Sequence, residues 1–156
     1  MGVLGISLGT TTIGIAYMHD WELRDFNTHS FRAQWSEDKA DHVIKRIGTY
    51  FTTYHISIVV IKVPPKTHQP ASIDLLLKKL MAFIVIKGCM MDVCTKQDLK
   101  QHLPGAKNHR DLMDFVVKTY PITTTEYSAA LERKNQYHKK VFEAIVAAHI
   151  GKEKGG

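Results

Sequence analysis

The chain has 156 residues, of which 44% are hydrophobic, 23% charged and 9% aromatic, with 21 Lys and Arg against 15 Asp and Glu for a net charge of +6. That length suits one domain able to bury about two thirds of its unfolded surface, and the composition excludes disorder, collagen-like repeats and coiled coil. The longest apolar runs, Ile56 to Ile61 and Met81 to Ile86, fall far short of the ~20 residues that span a bilayer, and the first residues lack the basic and apolar stretches of a secretion signal, so the cytoplasm is the expected location.

In chain order, Val3 to Leu8 and Ile13 to Met18 are apolar runs joined by Gly9-Thr10-Thr11-Thr12, which predicts a hairpin. Leu23 to Phe31 alternates as a third antiparallel strand should, with Asp20 and Trp21 in the turn before it. Ser36-Glu37-Asp38 is a helix start, and Ala40, Val43, Ile44, Ile47, Tyr50 and Phe51 recur at helical spacing. Ile56 to Val63, closed by Pro64-Pro65, is the nearly unbroken β-branched run of a strand buried on both faces, which implies a parallel crossover. Pro70-Ala71-Ser72 opens a long helix through about Lys87. A short strand, Met90 to Cys94, and a small helix, Lys96 to His102, follow before the break at Pro104-Gly105.

Further helices are expected from about Asn108 to Tyr120, with Leu112, Phe115 and Val116 inward, and from about Lys139 to Ile150. The segment 121–138 has no clear placement. The domain is expected to span 1–150, because the Gly, Lys and Glu of 151–156 offer little to offset the cost of ordering and predict a flexible tail. Cys89 and Cys94 do not form a CxxC pair and are expected to be buried free thiols. Three strands, helix, strand, helix, strand and helices make an α/β fold with a five-stranded mixed sheet: antiparallel strands 1–3, then parallel crossovers, with helices flanking.

This layout is that of the RNase H-like superfamily, and one stretch makes the resemblance sharper. Val3-Leu4-Gly5-Ile6-Ser7-Leu8-Gly9-Thr10-Thr11-Thr12-Ile13-Gly14-Ile15-Ala16-Tyr17 resembles the first hairpin of the RuvC-type Holliday junction resolvases and their YqgF relatives. Val59-Val60-Ile61-Lys62 resembles that family's fourth strand, the helix after Pro70 its dimer-side helix, residues 100–107 the loop before its penultimate helix, and Val141 to Ala148 its last helix. The resemblance implies a two-metal nuclease, in which carboxylates hold two divalent cations about 3.5–4 Å apart around the phosphodiester. It places those carboxylates on strand one, at the end of strand four, and one turn apart on the last helix.

At these positions the sequence departs from the family. Ser7 stands at the first, Lys62 at the second, Lys140 (or Lys139 in a neighbouring register) at the third, and Glu143 alone keeps a carboxylate. An ammonium at Lys62 opposes a dication by about 4 kcal/mol per unit charge product at 4 Å and an effective dielectric of 20. A degenerate, metal-free site is therefore expected, with Lys62 pairing with Glu143 in the role of the lost cation. The rival is an active nuclease using Mg2+ or Mn2+, with a site rebuilt from Glu143 and acids such as Asp92, Asp98 or Asp111.

Lys66, His68, Lys96, Lys100, His102, Lys107, His109 and Arg110 fall in the loops and helix starts flanking the strand ends, where the resolvases meet DNA. With Thr10 and Thr11 of the hairpin they form an expected phosphate-facing set. Gly9-Thr10-Thr11-Thr12 also resembles the phosphate-holding hairpin of actin-like and sugar-kinase-like ATPases, but 156 residues leave no room for their second half. The nine histidines show neither HxH nor HExxH spacing. The helix 72–87 is apolar on more than one face, and the resemblance makes it a homodimer face. The expected function is binding of branched or structured nucleic acid, or of a protein partner, without cleavage and without a cofactor; a structural subunit of a larger assembly is the remaining alternative.

Overall fold

Strand parity decides how this chain is layered. In the computed structural model, which describes residues 1–133 and 136–155 but not the side chains of His68, Gln136 and Lys154, five strands line up in the order β3-β2-β1-β4-β5. They are β1 (Gly2–Ser7), β2 (Thr12–His19), β3 (Glu22–Ser30), β4 (Ile58–Lys62) and β5 (Met90–Cys94). β1 pairs antiparallel with β2 and β2 with β3, while β1–β4 and β4–β5 are parallel. The central strands β1 and β4 are buried along their whole length.

Side chains alternate across the sheet. Leu4, Ile6, Ile13, Ile15, Val59 and Ile61 face α1 (Glu37–Thr53) and α2 (Ala71–Lys87), meeting Val43, Ile47, Leu76, Leu80 and Ile84 in one core. Val3, Ala16, Met18, Ile58 and Val60 face α6 (Gln136–Gly155), with α3 (Lys96–Gln101), α4 (His109–Thr119) and α5 (Thr124–Glu132) closing that core. Ser36 caps α1 by accepting the Lys39 amide at 3.1 Å, and Asn108 and Thr95 cap α4 and α3 in the same way. The unplaced segment is a 3₁₀ turn, Pro121–Thr123, running into α5; residues 134 and 135 of it lie outside the described set.

Helix α6 lies unusually close to the sheet. A Cβ added at Gly5 would come within 2.1 Å of the Ala144 carbonyl oxygen, and one at Gly14 within 2.3 Å of that of Lys140. No larger residue fits, so these two glycines set the gap between helix and sheet.

Where the sequence predicts a tail at 151–156, α6 continues through Gly155; residue 156 lies outside the described residues. Gly151 is buried where a Cβ would stand 2.8 Å from Val3 Cγ1 and Val60 Cγ2, and Lys152 Nζ sits 4.3 Å from the centroid of the Trp21 ring. Glycine here serves close approach rather than freedom. Cys89 and Cys94 are not joined in a disulfide and are half-buried rather than buried, and the Cys89 thiol donates to the Ile56 carbonyl at 3.1 Å. No helix among the described residues is long and apolar enough to cross a membrane.

Candidate functional site

Parallel pairing of β1 and β4 brings their C-terminal ends to one edge of the sheet, and in that register Ser7 lies beside Lys62. Parity points both toward α6, which crosses that edge with Lys140 and Glu143 one turn apart. The three residues meet. Ser7 Oγ donates to Glu143 Oε1 at 2.8 Å, and Lys62 Nζ donates to the same oxygen at 3.2 Å. Ser7 is 0%, Glu143 4% and Lys62 7% exposed, so this is an ion pair held in the interior.

Two further elements enter the site. Lys96, the first residue of α3, places Nζ 3.6 Å from Glu143 Oε2. His109, the first residue of α4, stands within the field of Lys96, Glu143, Lys139 and Lys62, and neither of its buried ring nitrogens has a hydrogen-bond partner. Lys140 Nζ donates to the Leu8 carbonyl at 3.1 Å and lies over Gly9, where an added Cβ would be 3.0 Å from it.

The electrostatics follow from burial and from three ammonium groups around one carboxylate. Burial alone would raise the Glu143 carboxyl, but Lys62 and Lys140, the Ser7 hydroxyl and Lys96 outweigh it and hold the group below the usual carboxylate range. Burial, reinforced by Lys62, brings Lys140 from 10.5 down to about 8, and burial likewise lowers Lys96. Burial and then Lys96 push His109 down to about 4, so its imidazole is neutral at pH 7.

The donor set does not suit a pair of divalent cations. Magnesium requires several hard oxygen ligands at about 2.1 Å, whereas Glu143 has one oxygen committed to Ser7 and Lys62 and the other turned to Lys96. Among the described residues no group of three or more His, Cys, Asp and Glu is placed to hold a metal ion. Asp98 accepts the Thr95 amide at 2.8 Å in the capping box of α3, and Asp111 accepts the Lys107 amide at 2.9 Å. Asp92 and Asp98 line a separate cavity of about 210 Å3 with Val60, Val93, Cys94, His102 and Ile150.

The other residues expected to face phosphate make separate contacts. Thr10 is half-buried and Thr11 exposed in the hairpin turn, where the Thr11 carbonyl accepts the Phe31 amide at 2.7 Å. Lys66 is exposed in a 3₁₀ turn; the side chain of His68 lies outside the described residues. Lys100 donates to the Lys107 carbonyl at 3.5 Å, which ties two of the expected residues together. Arg110 points elsewhere, donating to Asp114 at 3.2 Å and to the Tyr127 hydroxyl at 3.1 Å. Sequence spacing places Lys96 and His109 near the strand ends but not against Glu143, because their convergence depends on where α3 and α4 begin in space.

Sheet order, strand directions and helix placement together define an RNase H-like fold. Within that class, the chain is similar to Thermus thermophilus RuvC. The structure titled "T. thermophilus RuvC in complex with Holliday junction substrate" matches with a TM-score of 0.75 at 14% identity, over 100% of this chain and 96% of that one. A second, "Thermus thermophilus RuvC structure", matches with a TM-score of 0.73 at 12% identity, over 99% and 97%. No family model and no curated protein sequence matches the chain.

Proposed function

We propose that this protein is a RuvC-like binder of branched or structured nucleic acid whose cleavage chemistry has been lost. The observation that carries the reading is the buried contact of Lys62 Nζ with Glu143 Oε1 at 3.2 Å, at the strand end where the resemblance expects a metal ligand. Ser7, Lys62, Lys140 and Glu143 are read as the degenerate counterparts of the family's carboxylates. An ammonium there neutralises the carboxylate that a dication needs. Support for the substrate class comes from the full-length likeness to a protein solved with a Holliday junction and from the basic residues Lys66, Lys96, Lys100 and Lys107 in the segments that follow β4 and β5. The chain is read as a cytoplasmic homodimer, with α2 and the start of β5 facing the second copy: Ile86 is 82% and Met90 70% exposed.

The deciding experiment incubates a labelled four-way junction with the protein in Mg2+ and in Mn2+, reading binding by fluorescence anisotropy and cleavage on a denaturing gel. The expected outcome is binding that prefers the junction to linear duplex, with no metal-dependent product. Cleavage that disappears in Glu143→Gln would overturn the reading.

A further inference from the structure

We propose that the charged cluster at the ends of β1 and β4 is an oxyanion seat that takes one phosphate group among Lys62, Lys96, Lys140 and His109, with Glu143 as an internal counter-charge rather than a metal ligand. The inference deepens the reading above, and rests on it only for the source of the phosphate, a nucleic-acid backbone.

Charge balance is the first ground. Lys62 and Lys96 share the single carboxylate of Glu143, at 3.2 and 3.6 Å, while Lys140 has only the neutral Leu8 carbonyl to donate to among its described hydrogen bonds. With all four groups ionised the cluster holds an excess of two positive charges around side chains that are largely withdrawn from water. Unbalanced charge in such surroundings is costly, and a compact anion removes the cost. Polar accounting is the second ground. Both ring nitrogens of His109 are sealed from solvent and make no hydrogen bond, which is uncommon for buried polar atoms. A neutral imidazole offers one N–H to an oxygen ligand. His109 also opens the 11-residue helix α4, whose N-terminal field favours negative charge.

An inverted site follows. Where a metal nuclease gathers carboxylates around cations that in turn grip a phosphate, this chain places the cations on side chains and grips the phosphate directly. Recognition then needs no metal.

The test compares thermal unfolding in inorganic phosphate and in chloride at matched ionic strength, for the wild type and for Lys96→Gln, whose side chain is one-third exposed (34%) and replaceable without burying a new group. Phosphate well above its dissociation constant is expected to raise the wild-type Tm by about 3 °C or more. Lys96→Gln should lose most of that rise. Glu143→Gln, which removes the internal counter-charge, should respond at least as strongly as the wild type. Equal responses in wild type and Lys96→Gln, or no response in Glu143→Gln, would overturn the proposal.

A second arm titrates phosphate against the labelled junction and separates the two readings. Competition in the wild type, weakened in Lys96→Gln, assigns the seat to a backbone phosphate. A phosphate-dependent Tm rise without junction binding keeps the seat for a free phosphate and sinks the nucleic-acid reading. Junction binding with no phosphate response sinks the seat and leaves that reading standing.

Discussion

Lys62 and Glu143 illustrate how a buried ion pair constrains a protein more by what its loss costs than by what it contributes. With both partners nearly buried, Lys62→Met strands a carboxylate that retains Ser7, Lys96 and Lys140 but loses its 3.2 Å partner. The expected cost is about 3 kcal/mol, at the low end for breaking such a pair, while the double variant Lys62→Met with Glu143→Met recovers most of it. Urea midpoints of the four proteins of the cycle check this. Lys140 gives the site a pH signature. Its folded value of about 8 lies below the ordinary 10.5, so between these limits the unfolded chain holds a proton that the folded chain has released. Stability should therefore rise with pH from 8 toward 10.5, by up to about 3 kcal/mol, with Lys96 adding in the same direction. Lys140→Met should show a much smaller rise in denaturant midpoint between pH 8 and pH 10. The pairing of Lys62 with Glu143 was legible from spacing and resemblance alone, because strand parity and one helical turn fix both side chains. The environment of His109 was not, since nothing local marks its ring as sealed and unpartnered.

Among the elements, α6 carries most of the site, and its position is set by what β1 and β2 lack. Gly14→Ala drives a Cβ into the Lys140 carbonyl and should cost about 3 kcal/mol, roughly 10 °C in Tm, by scanning calorimetry. An alanine at half-buried Gly48 of α1, where the nearest atom to a new Cβ is the flexible Phe83 ring at 3.3 Å, should cost far less. Periodicity predicts the strands and the helices α1, α2 and α4 well because burial, capping and spacing agree there. It fails at the end of α6, where Gly151, Lys152 and Glu153 read as a loose tail by composition alone. A helix whose glycine packs on Val3 and Val60 is stabilised by tertiary contact, which no local pattern announces. Helix α2 makes a further prediction: if Ile86 and the adjoining Met90 meet a second copy, Ile86→Glu should yield a monomer by sedimentation velocity without a loss of Tm, since both side chains are exposed in the single chain.

On the scale of the whole molecule, the chain carries a net charge of +6, and three of its lysines, Lys62, Lys96 and Lys140, gather where β1 and β4 end. Junction affinity should fall steeply with salt, the logarithm of the constant changing by about 0.9 per phosphate neutralised for each logarithm of salt. Lys107→Ala should lower that slope by about 1, whereas Arg110→Ala, whose guanidinium is already engaged by Asp114 and Tyr127, should change it far less. Titrations of the labelled junction from 50 to 300 mM salt measure both slopes. Fold class was readable because the order of strands and helices leaves few topologies open, and full-length similarity to RuvC bears it out at 14% identity.

The closeness of α6 to the sheet reaches beyond stability. With Gly5 and Gly14 holding the helix backbone at a fixed distance, Glu143 and Lys140 have no slack to withdraw from Ser7 and the Leu8 carbonyl, as if set by a template. The glycines in the strands, which bring no side chain of their own to the charged cluster, thus fix where its charges stand.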